Sequence, residues 1–444
     1  MFDALFTTTT EYKKLSHALS GKGACALFGL PASGRAQVYA ALCRQLDKPL
    51  CIVTPGEAEA TRFAADLNTL GIPAAVFPAR DYVLRPIEGT AREYEYRRLA
   101  VLGELVGGRL RAVAVPAEAL TQFTTPKEDF CANTRTLHAG DTLLRDDLLA
   151  ALFGAGYTRR AQVDGPGQFS VRGDIVDIFA PDQKMPVRME FWGDEIDTLH
   201  TFDLTTQRRE DAIDKFYLSP AREVLFGKPA DAAEQLRAFL AKQRGKKKTA
   251  MADCMAADLD LLDGGAVPVN MDKYLAVRYP HPATVLDYFD DPILVAEEPA
   301  SIREADRATA YRRGEELKSL ILDGVLCAGL DNLYADPSYL WSKTGHYRTI
   351  CAENFARSMP DQPLKDIINT PAHTLPAWNG EVAGLLEDLK PLCDAGYTVT
   401  LLAGTDRAAA GLARDLRDKG ILVTTDAAAA PATVRRMIFC VTPL

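Results

Sequence analysis

The chain is 444 residues long, 47% hydrophobic and 25% charged, with a formal net charge of −9. At ~100–200 residues per domain, that length predicts about three or four globular units of ordinary composition. The acidic balance argues against a dominant nucleic-acid-binding surface, which would show a basic stripe. No run approaches the ~20 apolar residues of a membrane span, and the polar start MFDALFTTTTEYKK does not read as a secretory leader.

In chain order, the first predicted elements alternate strand and helix. A buried strand at Cys25–Phe28 leads through a glycine-containing loop to a helix near Gln37–Leu46. Leu50–Val53, a helix over Glu57–Leu70, Ala74–Phe77, a long amphipathic helix over Ala91–Val106 and Arg111–Val115 follow. Short apolar runs separated by helical periods predict a parallel sheet covered by helices. Past residue 125 the pattern changes. A helix over Leu144–Phe153 precedes closely spaced alternating runs at Tyr157–Val163, Gln168–Val171, Asp174–Phe179, Val187–Phe191 and Glu195–Phe202, which predict antiparallel hairpins.

Further on come helices over Ala232–Gln243 and Ala300–Leu322, a solvated basic loop at Arg244–Lys248, a buried strand at Ile293–Ala296, and a proline-bearing linker over Met359–Pro376. The last stretch returns to α/β alternation: helix Glu381–Asp394, strand Thr398–Leu402, helix Asp406–Lys419, and strands Leu422–Thr424 and Met437–Val441. AAAAPA at 427–432 reads as a loop, and the stop at VTPL, directly after a strand, as a truncated sheet.

The nine cysteines are scattered, without a CxxC pair, and the six histidines are dispersed. Neither zinc, nor a disulfide framework, nor a catalytic triad is expected, and free thiols in apolar settings suit a reducing cytoplasm. Gly29-Leu-Pro-Ala-Ser-Gly34-Arg35-Ala36 lies between a strand and a helix, the context of a phosphate loop. A working loop places Lys on the β/γ-phosphates and a Ser/Thr hydroxyl on magnesium. Here Arg35 and Ala36 occupy those places. Taken alone, the stretch fits a vestigial loop and a chance glycine turn equally well.

Two blocks are more specific: Gly167-Gln-Phe-Ser-Val-Arg172-Gly173-Asp174-Ile-Val-Asp177-Ile-Phe-Ala-Pro181, and Val187-Arg188-Met-Glu190-Phe191-Trp192-Gly-Asp194-Glu195-Ile196-Asp197. Both resemble a stretch shared by UvrB and the bacterial transcription-repair coupling factors. With residues 1–120 and the FDLTTQRR segment (202–209), the resemblance covers about half of the chain clearly. It implies a helicase-like parallel-sheet α/β domain in two sequence halves (1–123 and 216–345). A small α+β domain of the UvrA-interaction type is inserted over 124–215, and a linker with a separate small α/β domain follows over 346–444.

The resemblance also implies a function, recruitment of UvrA, with the docking role falling on Arg172, Arg188 and Trp192. Arginine forks suit carboxylate partners, and Arg and Trp are enriched at interface hot spots. The alternative is that both arginines pair with Glu190 or Asp177 on a solvated sheet face. Strand alternation turns Phe191 into the core. The strand ending in Glu297-Glu298-Pro299-Ala300 resembles the one that carries the magnesium-binding carboxylates of UvrB-type helicases, where the family has Asp-Glu-Ser-His. The extra methylene of Glu297 and the altered loop together imply a degenerate nucleotide site that does not hydrolyse ATP. The resemblance places ATP and magnesium, a translocase motor, and the main contacts to RNA polymerase and DNA beyond these residues.

Between Arg80-Asp-Tyr82-Val-Leu-Arg-Pro86 and Thr90-Ala-Arg92-Glu-Tyr94-Glu-Tyr96-Arg97-Arg98 there is no room for UvrB's damage-probing hairpin. Tyr94 and Tyr96 suit either base stacking or a helix face with Glu–Arg pairs. An active UvrB-type ATPase and a UvrA-independent DNA-binding module are the alternative functions.

Overall fold

A computed structural model describes residues 6–87, 92–359, 362–370, 382–395, 398–401, 406–423 and 437–440. The strands are β1 (Gly23–Phe28), β2 (Leu50–Thr54), β3 (Ala74–Val76), β4 (Ala112–Pro116), β5 (Arg135–His138), β6 (Thr158–Arg159), β7 (Gln168–Arg172), β8 (Ile175–Phe179), β9 (Val187–Trp192), β10 (Glu195–Phe202), β11 (Arg209–Ala212), β12 (Lys215–Leu218), β13 (Ile293–Glu297), β14 (Arg348–Glu353), β15 (Leu364–Asn369), β16 (Thr398–Leu401) and β17 (Met437–Cys440).

Seven of them form a parallel sheet in the order β15-β1-β14-β13-β2-β4-β3. Its strands read as continuous apolar runs because both faces are covered. Cys25, Leu27, Leu50, Ile52, Ile293, Val295 and Ile350 pack into one core with the helices Ala32–Leu46 and Glu57–Thr69. Their alternates Ala24, Cys51, Val53, Leu294, Ala296 and Cys351 pack into another with the helix Glu93–Val106 and Ile302.

The sheet reaches further along the chain than the sequence suggested. Arg348–Glu353 sits at its centre between β1 and β13, and Leu364–Asn369, inside the stretch read as a linker, forms its edge on β1. The apolar part of β14, Ile350-Cys351-Ala352, is too short for its period to mark a strand, and only pairing with β1 and β13 makes it one.

A second, six-stranded sheet has the order β11-β10-β9-β8-β7-β6. Its pairs are antiparallel as expected, except that β6 runs parallel to β7 and is only Thr158–Arg159 instead of the longer Tyr157–Val163. One face packs on Leu148 and Leu152 of the helix Arg145–Gly154, and on Leu137, Phe216 and Leu218 from the β5–β12 pair.

Between the sheets in sequence lies a helical layer. The basic run is not a loop: Gly245–Lys248 is the first turn of a helix that continues to Asp263. Met251, Met255 and Leu262 along that helix are buried with Leu236, Leu326 and Leu330, so its apolar face carries it even though its start is charged.

Near the end, the helices Val382–Asp394 and Asp406–Asp418 meet through Leu385, Leu389 and Leu416, and β16 pairs parallel with β17. The expected strand at Leu422–Thr424 does not form at Leu422 and Val423, where Leu422 is fully exposed. Thr424, the AAAAPA tract, VTPL, the 360–361 and 371–376 parts of the expected linker, and residues 88–91, with the expected helix start at Ala91, lie outside the described residues. Among the described residues no helix is long and apolar enough to cross a membrane, and no group of His, Cys, Asp and Glu is placed to hold a metal ion.

Candidate functional site

The six-stranded sheet turns one face away from its core, and the pairing register decides what stands there. Arg172, Ile175 and Glu190 lie opposite one another across β7, β8 and β9, and Ser170, Asp177 and Arg188 form the adjacent row. Trp192 is two residues beyond Glu190 and so shares the face. Phe191 points the other way and is buried, as alternation predicts. The β7–β8 and β9–β10 turns use Gly173 and Gly193 at φ of +60° and +63°, a region glycine adopts without a Cβ penalty. Both turns sit at the same end of the sheet, and therefore so do Arg172 and Trp192.

At that end Trp192 is 82% exposed. Arg172, with nearly half of its side chain in solvent, donates to Asp177 Oδ2 at 2.6 Å. Arg188 is different. Its Nε and Nη2 donate to the two Asp177 oxygens at 2.7 and 3.0 Å, its Nη1 to the Gln207 carbonyl at 3.2 Å, and its guanidinium lies 4.7 Å from the centre of the Phe202 ring. The side chain is only 10% exposed, because Val163, Phe179 and Phe202 cluster over this part of the face. Hydrogen bonding to Asp177 holds its charge above the usual arginine range. Both arginines thus share the one buried carboxylate of Asp177. One projects past it and the other is locked beneath.

The Gly29–Ala36 stretch follows β1, and neighbouring chain packs tightly against it. The helix starts at Ala32, with Gly34, Arg35 and Ala36 already inside its first turns. Gly29 has φ +90°, and a Cβ there would come within 2.2 Å of the Thr370 carbonyl, because the chain leaving β15 crosses directly above it. Arg35, 2% exposed, reaches across to both acids at the end of β13: its Nη2 is 2.9 Å from Glu297 Oε2 and 3.0 Å from Glu298 Oε1. Tyr39, one helical turn after Arg35, donates to Glu297 Oε1. Glu298 sits at φ +52° as the N-cap of the helix Pro299–Leu322 and accepts from Asn354 N at 3.3 Å. The Arg35 guanidinium therefore lies between the two carboxylates. Tyr39 escaped the sequence reading; its i+4 spacing from Arg35 was the available signal.

Burial pushes the Glu297 carboxyl up from 4.5 to about 7, against the pull of Arg35 and of the Tyr39 hydrogen bond. The folded state then holds this proton more tightly than the unfolded chain does. The associated stability is whole below pH 4.5 and is lost as pH rises through 7. Asp306, raised by burial to about 6, acts in the same direction. Thermal unfolding should show a lower Tm at about pH 8 than at about pH 5, and Glu297→Gln should shrink that difference while leaving the Asp306 part. An undiminished difference in the variant would remove Glu297 as its source.

Tyr94 is 44% exposed, with the Arg97 guanidinium 5.2 Å from its ring centre, whereas Tyr96 is half-buried and accepts from Arg222 at 3.1 Å. Ion pairs of this helix include Arg92–Glu95 at i, i+3, Glu104 with Arg109, and long-range contacts of Arg97 to Glu57, Arg98 to Glu223 and Glu95 to Arg222.

Comparison with known proteins bears on this arrangement of a parallel helicase-like sheet and an antiparallel sheet with an aromatic and arginine-bearing outer face. Residues 136–224 match the family model described as the UvrB interaction domain. Over most of its length the chain is similar to the N-terminal region of transcription-repair coupling factors. It is 25% identical over 406 residues to that of Bacillus subtilis (strain 168), which covers 89% of this chain and 34% of the relative. The factor of Myxococcus xanthus is 35% identical over 208 residues (44% of this chain, 17% of the relative), and that of Mycobacterium bovis 34% over 257 (56% and 20%). The chain thus spans between 17% and 34% of the length of these relatives.

Proposed function

We propose that this chain is a recruitment module that binds UvrA through the outer face of its six-stranded sheet, as part of a protein that directs nucleotide-excision repair to stalled RNA polymerase. The observation that carries the reading is the exposed Trp192 beside Arg172 within the stretch that matches the UvrB interaction domain. Large exposed aromatics and arginines are what interface hot spots are made of. Arg188 contributes from beneath, holding Asp177 so that Arg172 has a fixed direction. RNA polymerase and DNA are assigned mainly to other parts of the whole protein.

Calorimetric titration with UvrA tests the proposal. Trp192→Ala or Arg172→Ala should each cost ~2 kcal/mol or more, about thirtyfold in affinity, with Tm unchanged. Arg188→Ala should lower affinity and Tm together, because Asp177 then stays buried with Arg172 as its remaining partner. Absence of binding by the unaltered chain, or unaltered affinity in the Trp192 variant, would sink the reading.

The same reading includes a nucleotide site that does not turn over ATP. Its support is Arg35 between Glu297 and Glu298, the missing hydroxyl at Ala36, and the chain lying over Gly29. Phosphoryl transfer is almost wholly positioning of magnesium and phosphate, and neither has its usual ligands here. Titration with magnesium-ATP should give no heat of binding; saturable binding would restore the ATPase alternative.

A further inference from the structure

The helical layer brings two cysteines together that are distant in sequence. Cys254 lies midway along the helix Gly245–Asp263, and Cys327 lies in the segment that returns after Leu322. That segment is held against the helix. The Cys254 thiol donates to the Val325 carbonyl at 3.2 Å, two residues before Cys327, and Gly329 is packed so closely on Lys247 that an added Cβ would come within 3.2 Å of its ammonium. Cys327 belongs to the buried apolar cluster against which Cys254 packs. Cys254 is half-buried and Cys327 fully buried, so the pair has one sulfur facing solvent and one behind it. The Lys273 ammonium donates to the Cys254 carbonyl at 2.6 Å and to Asp258 at 3.0 Å, which sets a positive charge beside the outer thiol.

We propose that Cys254 and Cys327 are a peroxide-reactive pair, in which Cys254 takes the oxygen and Cys327 closes a disulfide. Thiolate character at an accessible sulfur next to a cation selects the reacting cysteine. The neighbouring Cys327 thiol does most to lower the Cys254 pKa, with Lys273 acting in the same direction and burial and Asp258 opposing, while the Cys254 sulfur pushes the Cys327 pKa up. In the first step the Cys254 thiolate attacks one oxygen of hydrogen peroxide, the O–O bond breaks, and hydroxide leaves, giving a sulfenic acid. In the second, Cys327 loses its proton and attacks the Cys254 sulfur, and hydroxide leaves to be protonated to water. Two thiols lose two electrons and two protons, and one peroxide becomes two waters. The new bond ties the helix Gly245–Asp263 to the 326–330 segment.

Cys131 and Cys393, free and exposed, are internal comparisons. At neutral pH, iodoacetamide should modify Cys254 about tenfold faster than either of them. After brief peroxide treatment of the full chain, non-reducing peptide mapping should find the Cys254–Cys327 linkage, lost on adding dithiothreitol. Cys327→Ser, which keeps a hydrogen-bond donor, should leave a sulfenic acid at Cys254 that dimedone traps. Oxidation confined to Cys131 and Cys393, or Cys254 alkylation no faster than theirs, would overturn the assignment.

Discussion

Arg98→Ala is expected to cost about 3–5 kcal/mol of folding stability, the range found when one partner of a buried ion pair is removed. Arg98 is wholly buried. Its Nε and Nη2 donate to Glu223 at 2.7 and 3.1 Å, its Nη1 to Gln122 at 2.8 Å and to the Pro78 carbonyl at 3.2 Å, and its guanidinium stacks 4.2 Å from the Phe77 ring centre. Glu223 is equally buried and is shared with Arg80, whose other contacts are to Asp272 at 2.7 and 3.1 Å. Glu95 closes the network by accepting from the Glu223 backbone at 3.0 Å. Because Glu223 comes shortly after β12, these residues form the seam where the chain leaves the β5–β12 pair for the helical layer. Without Arg98, Glu223 keeps one partner and loses two charge-assisted hydrogen bonds, and a cavity opens against Phe77. Urea unfolding measures the loss. Lys318→Ala, which removes an exposed pair with Glu315, is the control that should change little. A loss in Arg98→Ala no larger than in that control would show that Arg80 alone neutralises the seam.

Arg35→Ala should be of similar size, about 3–5 kcal/mol in mild alkali, and smaller in acid. The reason lies in Glu297. With Arg35 gone, a 1%-exposed carboxylate has only the Tyr39 hydroxyl beside it, but below neutral pH it escapes by taking up a proton. The cost of the variant therefore follows the titration of its partner. Arg35→Ala combined with Glu297→Gln should recover part of the stability, since a neutral amide leaves no stranded charge. Urea unfolding at about pH 5 and about pH 8 gives both comparisons. Equal losses at the two pH values would mean that Arg35 acts through packing and not through its charge.

Much of this architecture was legible in the sequence because it is local. Continuous apolar runs at Cys25–Phe28, Leu50–Val53 and Ile293–Ala296 mark strands buried on both faces, and alternation in the hairpins fixed which side Phe191 and Trp192 would take. Where the local signal was weak, the reading failed. The charged start of the Gly245–Asp263 helix looked like a loop, and β15 lay inside what read as a linker.

Periodicity says which face a residue is on but not what else arrives there. The sequence by itself determined that Arg188 and Trp192 share the side of their strand opposite Phe191, and that a phosphate-loop-like turn precedes Arg35, whereas Arg172 joins them only through the pairing of β7, β8 and β9. Only the tertiary structure decided that Phe202 and Gln207 roof Arg188 while leaving Trp192 bare. It alone decided that Arg35 meets an acid 263 positions away and that Thr370 closes over Gly29. Backbone pitch is set by neighbours within a few residues, whereas desolvation and charge pairing depend on which distant segments pack together.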